Sequence, residues 1–321
     1  MNRRELLTTA AGLGSLFALE SLLTRTPASA ASYYDDSEHQ AAEPLSTVKL
    51  TDRLAVVMGA GGNIAVLTGD TGTLQVDSGL AARTADIAKS VADLSAQPVT
   101  TLINTHWHFD HTGGNEALGK GGARIIAQTG TRMRLATDQT VEFMNIHSAP
   151  SPADALPIIT FADSLTLYVN GEEIVMTHVP PAHTDTDIVV YFRKANVLHA
   201  GDLLFNGFYP FIDYSSKGWI GGMVAGIDTV LKLSDANTKI IPGHGPMATR
   251  ADVIAFRAML HSIQTRIEPM IKSGKTLQQV VAAKPTREFD AKWSQGFLKP
   301  DQFATLVYTG IARHRGVAGH A

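Results

Sequence analysis

Residues 104–115 read Asn104-Thr105-His106-Trp107-His108-Phe109-Asp110-His111-Thr112-Gly113-Gly114-Asn115. Three histidines and one aspartate fall within six residues. Packing four titratable side chains together is costly, because histidinium charges repel and buried neutral imidazoles need partners. A divalent cation removes that difficulty, since neutral imidazole and carboxylate are its ordinary ligands. His106 and His108 are two apart and face the same way in an extended segment, whereas the adjacent Asp110 and His111 point elsewhere. One segment can therefore serve two neighbouring cations. It lies between an expected strand at 99–104 and a glycine-rich stretch, Gly113-Gly114 to Gly121-Gly122. Strand-to-helix junctions of this kind are where α/β proteins tend to build sites.

Upstream, short apolar runs at 53–58, 63–68 and 72–77 are separated by Gly59-Ala60-Gly61-Gly62 and Gly69-Asp70. Glycine and aspartate are turn formers, so an antiparallel meander is expected. The Gly59–Gly62 turn is expected to act as a mobile flap. Ile87, Val91 and Leu94 share one face of an expected helix at 81–96. Downstream, a brief strand at 124–127, a helix at 129–145 and a proline-containing loop at 148–157 are expected. Strands then return at 164–169, 172–178, 187–192 and 197–199, the first two joined by the hairpin turn Asn170-Gly171. A helix at 220–233, a strand at 238–241 and helices at 250–273, 276–283 and 300–312 complete the chain. Two similar runs, each a meander followed by helices, predict an α/β fold in which two sheets pack face to face between helices, a four-layer αββα sandwich. The catalytic domain is assigned to 51–250. The C-terminal helical segment, 251–321, is expected to pack on it through Trp293 and Phe297.

The N-terminus reads as an address. Arg3-Arg4 precedes a mildly apolar stretch and Ala28-Ser29-Ala30, the pattern of a twin-arginine signal peptide over 1–30 with cleavage near Ala30. Residues 31–50 form an expected N-terminal arm. The protein is expected to be periplasmic or secreted, with no stable membrane insertion after cleavage. The chain of 321 residues carries 27 Lys plus Arg against 30 Asp plus Glu, net charge −3, and no basic run. Nucleic-acid partners are therefore not expected, because phosphate binding needs clustered cations. Cysteine is absent, which excludes disulfides, thiolate metal sites and a cysteine nucleophile.

The segment His106-x-His108-x-Asp110-His111 resembles the signature of the metallo-β-lactamase-fold hydrolases. That resemblance implies the same αββα sandwich. It also implies three later ligands, which match His183 in Pro181-Ala182-His183-Thr184, Asp202 in Gly201-Asp202-Leu203 and His244 in Pro242-Gly243-His244-Gly245. Carried over by position, His106, His108 and His183 hold one metal, Asp110, His111 and His244 hold a second, and Asp202 bridges them. The nitrogen and oxygen donors suit two zinc ions per chain, with iron or manganese possible. A bridging Asp resembles the glyoxalase II and general-hydrolase branch. Asp77, in Val76-Asp77-Ser78-Gly79, matches a residue that supports the metal site in the family; it reads equally as an Asx turn after a strand.

The implied reaction is hydrolysis, in which a hydroxide shared by the two metals attacks the carbonyl of a small-molecule ester, lactone, amide or thioester. Asp110 is expected to be both ligand and catalytic residue. Asn206 and Tyr209, in the aromatic run after Asp202, are expected to bind substrate, and Phe109 to narrow the mouth. Two alternatives stand beside this reading: a β-lactamase, and a mononuclear iron oxidoreductase on the same fold. The oligomeric state is left open.

Overall fold

The computed structural model describes residues 44–316. The signal-peptide assignment at 1–30 and most of the expected arm lie outside the described residues. The chain folds into two sheets packed face to face. The first begins with β1 (Ser46–Lys49), β2 (Leu54–Met58), β3 (Ile64–Leu67) and β4 (Thr73–Val76), an antiparallel meander. It continues in parallel through β5 (Val99–Ile103) and β6 (Arg124–Gln128). A small separate hairpin, β7 (Gln139–Val141) with β8 (Ile146–Ser148), precedes β9 (Ile159–Phe161), which closes the first sheet. The second sheet holds β10 (Ser164–Val169), β11 (Glu172–His178), β12 (Ile188–Phe192), β13 (Val197–His199) and β14 (Lys239–Ile241). Only its last pair, β13 and β14, is parallel.

The helices are α1 (Thr84–Ala92), α2 (Phe109–Thr112), α3 (Asn115–Lys120), α4 (Thr129–Leu135) and α5 (Ile220–Leu233). After them come α6 (Arg250–Lys272), α7 (Leu277–Ala282), α8 (Asp290–Trp293) and α9 (Pro300–His314).

Side-chain alternation explains the layering. Along β2 and β3, Val56 and Leu67 point to the second sheet, whereas Val57, Ile64 and Val66 point outward to Ile87 and Val91 of α1. Along β12, Val190 and Phe192 meet the first sheet, whereas Val189 faces the helices. Leu198 and Ile240 join Val189 against Met223 and Ile227 of α5, Phe256 and Leu260 of α6, and Phe303 and Val307 of α9. The order is helix, sheet, sheet, helix: the four-layer αββα sandwich. Each fully buried Val, Leu, Ile or Phe contributes about 1.5–3 kcal/mol, so period-two strands with both faces covered account for the frame. The C-terminal helices share one hydrophobic core with α5 and thus form part of the fourth layer.

Three local expectations are corrected. Residues 46–49, assigned to the arm, form an edge strand whose side chains are all exposed; pairing by backbone alone leaves no apolar pattern to read. The strand Ile159–Phe161, with its first two residues exposed, was not expected for the same reason. The expected helix at 129–145 stops at Leu135, and the chain turns into the β7–β8 hairpin. Asn145 sits there with φ +53°, a left-handed conformation that ends any helix.

Candidate metal centre

The seven side chains carried over by resemblance converge at one end of the sandwich. They lie in the segments that follow β5, β11, β13 and β14 in the chain, and all but His244 are fully or almost fully buried. His106, His108, His183 and Asp202 offer ligand atoms within 4.8 Å of one another, and so do Asp110, His111 and His244.

The separations suit cations. Four donors around zinc at 2.0–2.1 Å in a tetrahedron lie about 3.3 Å apart. In the first group, His183 Nε2 is 2.9 Å from His108 Nδ1 and 3.4 Å from Asp202 Oδ2, and His106 Nε2 is 3.9 Å from the same oxygen. In the second, His244 Nε2 lies 3.3 Å from His111 Nε2 and 3.1 Å from Asp110 Oδ2. Asp202 touches both groups: its Oδ1 is 3.0 Å from His111 Nε2 and its Oδ2 is 3.4 Å from His244 Nε2.

For four of the five histidines, outer hydrogen bonds indicate which ring nitrogen carries a proton. Thr105 donates its hydroxyl to Asp77 Oδ2 at 2.8 Å, so its oxygen accepts from His106 Nδ1 at 3.1 Å. His106 Nε2 is then a bare lone pair, buried and without a hydrogen-bond partner. His108 donates through Nε2 to Asp213 Oδ2 at 3.1 Å, and His183 through Nδ1 to the Phe211 carbonyl at 2.8 Å. His111 donates through Nδ1 to Asp77 Oδ2 at 2.8 Å. The inward nitrogens of His106, His108 and His183 therefore present lone pairs to one another, an arrangement that repels unless positive charge lies between them.

The electrostatics agree. Burial and the neighbouring His111 hold His106 well below the ordinary histidine pKa, and burial pulls His183 down to about 4. Both stay neutral. Burial also opposes charge on His111 and His244, but the carboxylates of Asp202 and Asp110 outweigh it. His111 is held well above its ordinary value and His244 is raised to about 9. Despite burial, His111 and His244 hold Asp110 down to about 2, and Asp202 is lowered well below the carboxylate range. Without a cation, the site balances two carboxylates with two protonated imidazoles.

Two parts of the frame bring backbone unusually close to ligands. Gly62 N donates to the Asp110 carbonyl at 3.0 Å, and Asn63 Nδ2 donates to the carbonyls of Pro242 and Gly245, each at 2.9 Å. A Cβ on Gly62 would overlap the His111 ring, and one on Gly243 would overlap Asp202 Oδ1. The Gly59–Gly62 turn is thus clamped between ligand loops, which replaces the flap expected for it. Asp77, at φ +64°, also accepts the Thr105 backbone N–H at 2.7 Å. One carboxylate thereby braces His106 through Thr105 and His111 directly.

The loop after Asp202 differs from expectation. Asn206 spends its amide on the carbonyls of Pro246 and Met247, and Tyr209 is buried with its hydroxyl donated to Asp290 Oδ1 at 2.8 Å. Neither lines the cleft. Phe205, Phe208 and Phe211 do, together with Phe109, in a cavity of 260 Å³ beside the ligands. Sequence reasoning missed Asp213. Its signal was Asp213-x-Ser215-Ser216, an Asx turn in which Asp213 Oδ1 accepts the Ser215 N–H at 2.9 Å. It also missed Asp187, which accepts the backbone N–H groups of His183 and Thr184 at 2.8 and 2.9 Å and fixes that loop.

Because His244 is raised to about 9 and His111 lies well above its ordinary value, a cation entering the site must expel protons. Its apparent affinity is expected to climb with pH up to about 9, about tenfold per unit for each proton expelled. Zinc competition against a chromophoric chelator, repeated between about pH 6 and 9, reads the slope; a pH-independent affinity contradicts the assignment.

Comparison with known proteins agrees with this geometry. Residues 58–244 match the profile of the Metallo-beta-lactamase superfamily. The chain is 26% identical over 164 residues to a metallo-beta-lactamase type 2 of Bacteroides fragilis, covering 51% of this chain and 60% of that protein. It is 30% identical over 110 residues to a hydroxyacylglutathione hydrolase of Rhodospirillum rubrum, covering 34% and 35%. The chain thus spans about a third to three-fifths of the length of these relatives. Among solved structures, a metallo-beta-lactamase from Pontibacter korlensis superposes with TM-score 0.57 at 19% identity, over 68% of this chain and 99% of that one. The sec-alkylsulfatase Pisa1 from Pseudomonas sp. superposes with TM-score 0.63 at 16% identity, over 87% and 52%. These likenesses show a shared fold. With the fold, the His and Asp clusters and a profile match across more than half its length, the chain belongs to the metallo-beta-lactamase superfamily.

Proposed function

We propose that this protein is a dinuclear zinc hydrolase acting on a small ester, lactone, amide or thioester. The observation that carries the reading is Asp202, whose carboxylate lies within 3.4 Å of ligand nitrogens from both groups. A carboxylate so placed suits two cations better than one, and so favours hydrolysis over the mononuclear iron reading.

Two divalent cations supply Lewis acidity that polarises a carbonyl and makes hydroxide available near pH 7. The protein's own residues do the rest. Asp77, Asp213, Thr105 and the Phe211 carbonyl lock the imidazoles with their lone pairs inward. Asp110 lines the cleft and remains ionised at any physiological pH. It can accept a hydrogen bond from the attacking water and orient it.

A β-lactamase is the second reading, favoured by the likeness to the Bacteroides fragilis enzyme. It ranks lower because β-lactams carry a carboxylate, and no Lys or Arg is among the described residues that line the cleft.

We also infer that the protein is exported, from Arg3-Arg4 and Ala28-Ser29-Ala30. Among the described residues, no helix is long and apolar enough to cross a membrane. Replacing Arg3 and Arg4 together by Lys should retain the protein in the cytoplasm on cell fractionation; unchanged export would refute this.

The hydrolase reading is tested by turnover of p-nitrophenyl esters, lactones, thioesters and a chromogenic β-lactam by the zinc-loaded protein. Asp110→Ala should lower turnover of the preferred substrate by at least about a hundredfold, with the circular dichroism spectrum unchanged. Unimpaired turnover by this variant would remove Asp110 from the chemistry.

A further inference from the structure

The cleft has a wall that comes from outside the region matched to the superfamily. Gln295, Gly296 and Phe297 line it, well beyond residue 244. This wall is held firmly. Tyr209 donates its hydroxyl to Asp290 Oδ1 at 2.8 Å and its backbone N–H to the Trp293 carbonyl at 2.7 Å. Its ring stacks on Phe303 of α9, with centroids 4.4 Å apart and planes at 14°. Trp293 is buried against Phe256. Gly296 lies against the Phe208 ring so closely that a Cβ would collide with it.

A second part of the lining depends on the same helix. Val141 and Met144, from the β7–β8 hairpin, line the cleft. Arg313 of α9 ties this hairpin down through a bidentate pair with Glu142, at 2.9 and 2.5 Å. Both parts of the lining are therefore organised by the C-terminal helix.

The chemistry of the lining is one-sided. Apart from the metal-ligand residues, Gln295 is the only one of the described lining residues with a polar side chain, and one of its two amide N–H groups donates to the Ala291 carbonyl at 3.1 Å. A substrate there meets one neutral amide, its carbonyl oxygen and its second N–H, and no charged side chain outside the metal-site residues. An anionic group away from the ligands would lose hydration and meet no cation, whereas a hydrocarbon chain would leave water for an apolar surface. The volume, 260 Å³, falls below the about 300–1,000 Å³ of drug-sized pockets, so the group it takes is compact.

We propose that the Gln295–Phe297 wall selects substrates whose acyl side is a compact, uncharged, apolar chain or ring. The reacting carbonyl lies at the ligand cluster and the chain lies between Phe297 and Met144. This rests on the hydrolase reading for the reaction, and on the cleft alone for the chain.

The test measures binding, so that it does not depend on turnover. A series of alkyl hydroxamates, from acetohydroxamate to octanohydroxamate, is titrated into the zinc-loaded full chain by calorimetry. Affinity should rise about two- to fourfold per added methylene through the hexanoyl member. A hydroxamate of equal length ending in a carboxylate should bind at least about tenfold more weakly than its neutral counterpart. Phe297→Ala should flatten the chain-length slope. Gln295→Lys, at an exposed position, should recover affinity for the carboxylate-ended compound. A flat series, equal binding of the carboxylate-ended compound, or no binding of any member would overturn the proposal. Chain-length-dependent binding without turnover of any ester, lactone, amide or thioester would sink the hydrolase reading and leave this one standing. Ester turnover with a flat series would do the reverse.

Discussion

The inward nitrogens of His108 and His183 lie 2.9 Å apart, with each ring's proton engaged on its far side by Asp213 and by the Phe211 carbonyl. Much of the remaining site follows from the need to neutralise that arrangement. Facing lone pairs, with the bare Nε2 of His106 and the carboxylate of Asp202 beside them, form a site of negative potential buried in protein. Cations relieve it. In their absence, protons on His111 and His244 are the substitute: burial pushes His106 and His183 down in pKa, whereas the carboxylates of Asp202 and Asp110 outweigh burial at His111 and His244 and push them up.

The sandwich exists, in this view, to hold lone pairs where free imidazoles would turn away. Its central strands, such as Ile64–Leu67 and Val197–His199, are buried on both faces, so the loops that follow them begin from packed positions. Glycine at 62 and 243 lets two loops press directly on ligands. Asp77, in a left-handed conformation that Asp tolerates better than bulkier residues, links two ligand histidines of different groups through one carboxylate.

How much of this could be read beforehand depended on what kind of signal each part leaves. The core strands and the long helices carry period-two or period-3.6 apolar patterns, and elements such as Glu172–His178 and Ile220–Leu233 lie where those patterns put them. Edge strands such as Ser46–Lys49 leave none, because their side chains face water. The family resemblance marked the seven ligand candidates by local context. It gave no account of Asp213, which acts on His108 from 105 positions away, or of Asp187, whose local bonds to the backbone of His183 and Thr184 read in sequence as an ordinary loop turn. The aromatic run after Asp202 shows the same limit. Composition drew attention to the loop, but only its three-dimensional path sends Phe205, Phe208 and Phe211 into the cleft and turns Tyr209 toward Asp290. The C-terminal segment, read as helices packed on the body, contributes part of the cleft as well.

The central claim is that Asp202 joins two cation positions in one site. Elemental analysis of the purified protein, wild type beside Asp202→Ala, tests it most directly. Two zinc-class ions per chain are predicted for the wild type, falling to one or none in the variant while the fold survives. A single ion in the wild type, or two retained without Asp202, would contradict the account.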